Sequence, residues 1–179
     1  MSTHGAYGFK LNDKFYVTPS WSDSYPIWLG AEILELLREV NDDGLEGWVQ
    51  LRNNVSNLQM VEGHDCPEQS FGESWADLLR PTNGAEQIRR IYEGEMNVMI
   101  EGFDTLEDGE DCRHAYIINL DDGTFEFYSG GVERCSAPDL SLERLPLEHV
   151  PNMWGIYPIH FIFKANLLTL NVKWKKESI

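Results

Sequence analysis

The sequence has few cysteines, few basic residues and no long apolar run. Its three cysteines, Cys66, Cys112 and Cys135, are an odd number and too few for a disulfide framework, so we expect reduced thiols. No apolar run approaches the ~20 residues that span a bilayer, and the N-terminus lacks the basic and then apolar layout of a signal peptide. We therefore expect a cytoplasmic protein, in a bacterial or a host cell, with no membrane segment.

The scarcity of basic residues makes the chain strongly acidic. Thirty Asp and Glu stand against 14 Lys and Arg, which gives a formal net charge of −16. Residues 151–179 carry four lysines and one glutamate, a balance of +3, so the first 150 residues carry −19. A field of this sign disfavours nonspecific contact with nucleic acid or an anionic membrane and favours a protein partner with a basic surface. Solubility alone is the other explanation of the charge.

The common catalytic and nucleotide-binding motifs are also missing. There is no phosphate-cradling glycine loop, no dinucleotide fingerprint and no G-x-S-x-G elbow. We therefore predict no cofactor, and no complete motif supports any residue as catalytic.

Four residues have the types that ligate structural zinc, and they define the metal candidates. Their spacing does not match that of the common zinc modules, so only an irregular loop could bring the four side chains together. Buried thiols with histidines at the surface are the alternative. A further alternative is a catalytic nucleophile pair that joins Cys66 or Cys112 to His64, His114 or His160. The zinc candidates are His64, Cys66, Cys112 and His114.

The residues that are present have strand and helix patterning. The stretch from His114 to Gly131 predicts a β-hairpin, in which Asp122-Gly123 suits a two-residue type I′ turn. That turn would set Leu120 opposite Phe125. We expect helices to cover the apolar face of this hairpin, which holds Tyr116, Ile118, Leu120, Phe125 and Phe127.

The rest of the chain supplies further strands and helices. A first hairpin is predicted at 6–18 with Asn12-Asp13 at its turn, and an amphipathic helix runs from Pro26 to about Val40 with Ser24 as its N-cap. Other helices are predicted at 45–55, 68–79 and 85–92, and other strands at 96–103, 159–163 and 168–174.

This order of strands, helices and strands predicts an α+β fold with antiparallel sheets of hairpins and helices packed on one side. An αββα sandwich is the alternative arrangement. The length favours a single domain over 1–179, with 136–158 as an irregular Leu/Pro-rich segment.

Gly5 to Phe9, Asp23 to Gly30 and the central hairpin together resemble a family of small uncharacterised phage and bacterial proteins. Gly5 to Phe9 partly match that family's G-x-x-G-F opening strand, and Asp23 to Gly30 match its D-S-Y-P-x-x-L-G helix start. The central hairpin also looks like a later hairpin of the family. The resemblance covers about 40 N-terminal residues and about 20 central ones. It implies a phage or mobile-element origin and no particular reaction.

The strand–strand–helix layout is also similar to that of N-terminal-nucleophile hydrolases, which form αββα sandwiches. The similarity implies that Ser2, exposed by removal of Met1, would be the catalytic residue with its own amine as base. The chain departs from the family's usual Cys or Thr at that position.

Two stretches carry the residue types that protein interfaces favour. Trp21 to Trp28 places aromatic rings beside polar groups on an irregular link. Residues 104–111 form an acidic loop that does not match EF-hand spacing and suits an Arg/Lys-rich partner, a solvated turn being the alternative. The predicted binding residues are Trp21, Asp23, Ser24, Tyr25, Trp28, Asp104, Glu107, Asp108, Glu110 and Asp111.

We therefore predict a noncatalytic interaction protein that binds and inhibits or regulates another protein. The alternatives are a small hydrolase of the N-terminal-nucleophile kind and a zinc-stabilised structural module. A homo-oligomer is also compatible with the sequence.

Overall fold

The computed structural model describes residues 3–20, 23–62, 84–131, 144–148, 150–170 and 172. Its helices are α1 (Ala31–Asp42), α2 (Gly44–Ser56) and α3 (Gly84–Tyr92). A π-helical turn at Pro26–Gly30 precedes α1, and a 3₁₀ turn covers Phe103–Glu107. The strands are β1 (Gly5–Leu11), β2 (Lys14–Ser20), β3 (Gln59–Val61), β4 (Val98–Ile100), β5 (His114–Asn119), β6 (Thr124–Ser129) and β7 (His160–Asn166).

The first hairpin forms where the sequence predicts it. β1 and β2 pair antiparallel, with Leu11 opposite Lys14. Asn12 and Asp13 have φ of 54° and 58°. Positive φ at both central residues is the requirement of a type I′ turn, and short polar side chains accept it at low cost.

The central hairpin forms with a register that differs by two residues from the prediction. Phe125 pairs with Ile118, whereas a two-residue turn would pair it with Leu120. The loop between the strands therefore has four residues instead of two. The reason is local, because the side-chain oxygen of Asn119 accepts hydrogen bonds from the backbone N–H groups of Asp121 and Asp122, at 3.1 and 3.0 Å. A shift of two keeps each side chain on its predicted face.

The two hairpins join into one sheet with the order β2-β1-β5-β6-β7. All neighbours are antiparallel except β1 and β5, which run parallel with Gly5 beside His114. β3 and β4 form a separate two-stranded parallel pair. The α+β class is confirmed. In the described residues, however, the large sheet does not face a second sheet of similar size, as an αββα sandwich requires.

The three helices cover one face of the large sheet, as predicted. α1 buries Ile33, Leu36 and Leu37 against strand residues such as Phe9 and Ile118. The larger apolar cluster contains all five apolar residues of the central hairpin named above. Burial of this kind is the main stabilising contribution to such a layer, at roughly 25 cal/mol per Å².

A second, smaller cluster lies on the opposite face of the sheet. Ala115, Ile117 and Tyr128 pack there against the 3₁₀ turn through Leu106 and against Ile159. This face is therefore covered by loops, and it holds the segments that matter for the site below.

Two local predictions are wrong. Ser24 does not cap the helix, because its hydroxyl donates to the carbonyl of His4 at 2.9 Å and the helix begins without a side-chain cap. The strand predicted at 168–174 is absent from residues 168–170, which form a turn, and residues 171, 173 and 174 lie outside the described part of the chain. The side-chain oxygen of Asn166 accepts from Leu168 N at 2.8 Å and ends β7, and Leu170 has a φ of 39°.

Other predictions have mixed outcomes. The helix predicted at 68–79 lies outside the described residues. The strand predicted at 96–103 shrinks to the three residues of β4, because Gly102 begins the 3₁₀ turn.

Among the helices of the described residues, none has the length and apolarity that crossing a membrane requires.

Candidate interaction surface at one end of the sheet

Strand direction brings the predicted binding segments to one end of the sheet. β1, β5 and β7 begin there, and β2 and β6 end there. Across this end Gly5, His114, Ser129 and His160 lie side by side in register. We call it the His114 end. The loops that enter and leave these strands therefore lie close together, although they are far apart in sequence.

The Asp23–Trp28 segment is fastened to the beginning of β1. Ser24 N donates to Thr3 O at 2.9 Å, and Asp23 Oδ1 accepts from Thr3 N at 3.3 Å. Ser24 is fully buried, so it holds the segment and is not itself accessible to a partner. Asp23 is exposed, and Trp28 exposes 59% of its surface. The first residue of the predicted stretch, Trp21, lies outside the described residues.

The acidic loop leads into the beginning of β5. Asp108 shapes it, since its Oδ1 accepts from Glu110 N at 2.9 Å and from Asp111 N at 3.2 Å, and its carbonyl accepts from Cys112 N at 2.8 Å. Next in the chain, Arg113 N donates to His4 O at 3.0 Å and joins this loop to the N-terminal segment. The exposed carboxylates of the loop are Asp104, Glu107, Glu110 and Asp111.

A third loop, which the sequence did not mark as a site, lies beside the acidic one. Tyr157 O accepts from Gly109 N at 3.0 Å, and Ile159 N donates to Leu106 O at 3.1 Å. A Cβ at Gly109 would overlap the Tyr157 carbonyl, so the two backbones touch at a position that only glycine permits. Before Tyr157 the chain turns sharply at 152–156 and projects Met153 and Trp154 into solvent.

His114 lies behind this surface in an apolar setting. It is 9% exposed, its ring stacks on Phe127 with centroids 5.8 Å apart, and the Tyr25 ring lies 5.6 Å away. Its Nδ1 has no hydrogen-bond partner among the residues that the structure describes. Burial, with a smaller contribution from the charge of Arg113, lowers the pKa of His114 to about 4. The imidazole is therefore neutral at pH 7.

Cys112 is also buried and chemically quiet. Its Sγ lies 3.8 Å from the carbonyl oxygen of His114. Burial, and then the charges of Asp108 and Asp111, raise the pKa of the Cys112 thiol to about 12. Because the thiolate is the reactive and metal-binding form, this environment disfavours Cys112 as nucleophile or ligand at pH 7.

Most other members of the metal and catalytic sets cannot be placed beside them, although His160 is described and lies buried at the beginning of β7. His64, Cys66 and Ser2 all lie outside the described residues. Within the described part of the chain, no group of three or more His, Cys, Asp or Glu side chains is arranged to hold a metal ion. The zinc, Cys66 and Ser2 hypotheses therefore stay predictions.

A buried charge network occupies the opposite end of the sheet. Glu126, 1% exposed, accepts from Asn119 Nδ2 at 2.9 Å, Thr124 Oγ1 at 3.0 Å, Tyr128 OH at 2.6 Å and Arg144 Nε at 2.6 Å. Four donors satisfy this carboxylate, so its role is to fasten the segment that contains Arg144 to the sheet. Nothing in the sequence pattern marked this pair, since 18 residues separate its members.

No protein-family model, no curated protein and no solved structure matches this chain. The resemblance to phage and bacterial proteins therefore stays a prediction that rests on the residues of the N-terminus and the central hairpin. Among the described residues, the surface at the His114 end is the feature that best supports an inference of function.

Proposed function

We propose that this protein is a noncatalytic interaction protein, which uses the His114 end of its sheet to bind a partner protein with a basic surface. Binding would inhibit or regulate that partner. The observation that carries the proposal is that two segments about 80 residues apart in the sequence, 23–28 and 104–111, are both joined to the N-terminal residues at the His114 end: Ser24 N bonds to Thr3 O, and Arg113 N, just after the acidic loop, bonds to His4 O. Both segments carry residue types that protein interfaces favour.

The charge of the surface supports a basic partner. Asp104, Glu107, Glu110 and Asp111 are exposed, and none of them forms an ion pair with a described residue. The described part of the chain therefore does not neutralise their charge, which we take to be available to another molecule. Such fields steer association and set specificity more than they add affinity.

The apolar part of the surface supplies contact area. Trp28 is more than half exposed, beside the exposed Ile27 and on the rigid helical turn that follows Pro26. Aromatic residues on a fixed backbone are the side chains that most often dominate interface energetics. Together with the −16 net charge, this combination supports binding to a protein over binding to nucleic acid.

The resemblance of the N-terminus to phage proteins leads us to propose a bacterial host protein as the partner. The test is to immobilise the full chain, expose it to a bacterial lysate, identify the retained protein, and titrate that protein in purified form by calorimetry. Binding should weaken as salt rises, because exposed charges are screened beyond ~10 Å at 0.1 M salt.

A neutralising variant tests the surface itself. We expect Glu107→Gln/Glu110→Gln/Asp111→Asn to weaken binding by about tenfold, since three exposed ion pairs each contribute up to about 1 kcal/mol. A matched control removes the same charge from the helical layer, at Glu35, Asp42 and Glu46, which are also exposed. Equal affinities for the two variants would contradict the assignment of the surface. Retention of no protein at all would contradict the proposed function.

A further inference from the structure

The loop after Pro151 is a rigid turn that holds an apolar tip in solvent. Asn152 organises it, since its Oδ1 accepts from Trp154 N at 2.9 Å and from Ile156 N at 3.0 Å. The Asn152 backbone exchanges two more hydrogen bonds across the turn, to Ile156 O at 2.8 Å and from Gly155 N at 2.9 Å. Gly155 has a φ of 78°, which a residue with a side chain rarely adopts. Among the described residues, the turn is therefore held by its own hydrogen bonds and not by packing of the Met153 and Trp154 side chains.

In the described part of the chain, the side chains of the tip lie outside the apolar core. Met153 exposes 87% of its surface and Trp154 exposes 78%, and neither belongs to either apolar cluster of the core. The preceding Val150 is exposed as well. Three neighbouring large apolar side chains in solvent are a typical mark of an interaction site. A preformed loop also lowers the entropy that binding must remove.

The surroundings of the tip indicate which kind of molecule it meets. The hydrogen bond from Gly109 N to Tyr157 O ties the base of the turn to the acidic loop, where Glu110 and Asp111 are exposed. Glu148, on the other side of the turn, is exposed too. An apolar knob bordered by carboxylates complements an apolar pocket bordered by Arg or Lys. The same carboxylates repel anionic lipid and a second copy of this chain.

We propose that Met153 and Trp154 are the anchor of the interface and enter an apolar pocket with a basic rim on the partner protein. This inference rests on the proposed function and names the residues that dominate its binding energy. Asn152 is the positioning residue, since it holds the turn without offering apolar area of its own. The carboxylates of the adjacent loop then act on the rate of association and on specificity.

The experiment places a photo-crosslinking p-benzoylphenylalanine at position 153 and, as control, at position 168. Leu168 is 72% exposed but follows β7 at the opposite end of the sheet. We expect a crosslinked protein from position 153 and none from position 168. With the purified partner, Trp154→Ala should weaken binding at least about thirtyfold, as expected of a hot-spot residue, and Leu168→Ala less than about twofold. Asn152→Ala should also weaken binding, and Asn152→Asp, which keeps an acceptor, should restore it.

Three results would overturn the inference. A partner that binds Trp154→Ala as tightly as the wild-type chain would leave the proposed function standing and remove the anchor. Trp154-dependent sedimentation with vesicles of phosphatidylcholine and phosphatidylserine would assign the tip to a lipid surface. A Trp154-dependent dimer in analytical ultracentrifugation would assign it to a second copy. If the chain with the crosslinker at position 153 crosslinks to nothing and the wild-type chain retains nothing, the inference and the proposed function fall together.

Discussion

His114 makes the stability of this protein depend on pH in a defined interval. The native state holds the neutral imidazole between Tyr25 and Phe127, and burial lowers its pKa from 6.5 to about 4. Below pH 6.5 the unfolded chain therefore binds a proton that the native state does not. The free energy of unfolding should fall as the pH drops from about 6.5 to about 4, and this contribution should level off below pH 4.

The size of the effect follows from the same two values. One pKa unit corresponds to about 1.4 kcal/mol, and between pH 7 and pH 5 the protonation of the unfolded state removes about 2 kcal/mol of stability. That is a large fraction of the 5–15 kcal/mol by which domains of about this size are usually stable. Arg113, whose charge contributes to the shift, is exposed and acts in the same direction as burial.

The assay compares the wild-type chain with His114→Phe, which keeps an aromatic ring between Tyr25 and Phe127 but cannot titrate. Urea unfolding, followed by tryptophan fluorescence at pH 7 and pH 5, gives the loss of stability for each chain. We expect the wild-type chain to lose about 2 kcal/mol more than the variant. Equal losses would show that His114 is protonated in the native state at pH 5, and the reasoning from its burial would be refuted.

Two further predictions concern packing. Arg144→Met should lower the free energy of unfolding by urea by about 3 kcal/mol, because it leaves the carboxylate of Glu126 buried without its charge partner. Adding Glu126→Gln should recover part of that loss. If the effects of the two substitutions simply add in the double variant, the proposed coupling is contradicted. Gly8→Ala should lower the free energy of thermal unfolding by about 2 kcal/mol or more, because its Cβ would overlap the backbone carbonyl of Tyr16. Gly123→Ala is the control. A Cβ there meets no described atom within 4 Å, so only the φ of 65° should lower the stability, by about 1 kcal/mol.

Much of the fold could be predicted because it depends on neighbours in the sequence. The turn at Asn12-Asp13 and the helices near 31–42, 44–56 and 84–92 follow from turn chemistry and from the spacing of apolar residues. The inward face of the central hairpin followed from alternation, and it survived a register error of two residues. The error arose because the side chain of Asn119 stabilises a longer loop than the Asp122-Gly123 pair suggests.

The proposed surface could be predicted only in part from the sequence, for a different reason. Composition was enough to select the Trp21–Trp28 stretch and the acidic loop. It could not select Met153 and Trp154, because apolar residues near Pro and Gly more often close the edge of a core than project from it. The exposure of the tip depends on the Asn152 hydrogen bonds and on the fastening of its base to Gly109.

Local patterning thus specified the helices, the hairpins and the sign of the charge, since each depends on residues a few positions apart. The parallel pairing of β1 with β5 joins residues more than 100 positions apart, and no short-range pattern encodes it. That pairing sets the strand order, and the strand order decides which loops share an end of the sheet. The surface proposed to bind a partner therefore came into view only with the tertiary structure.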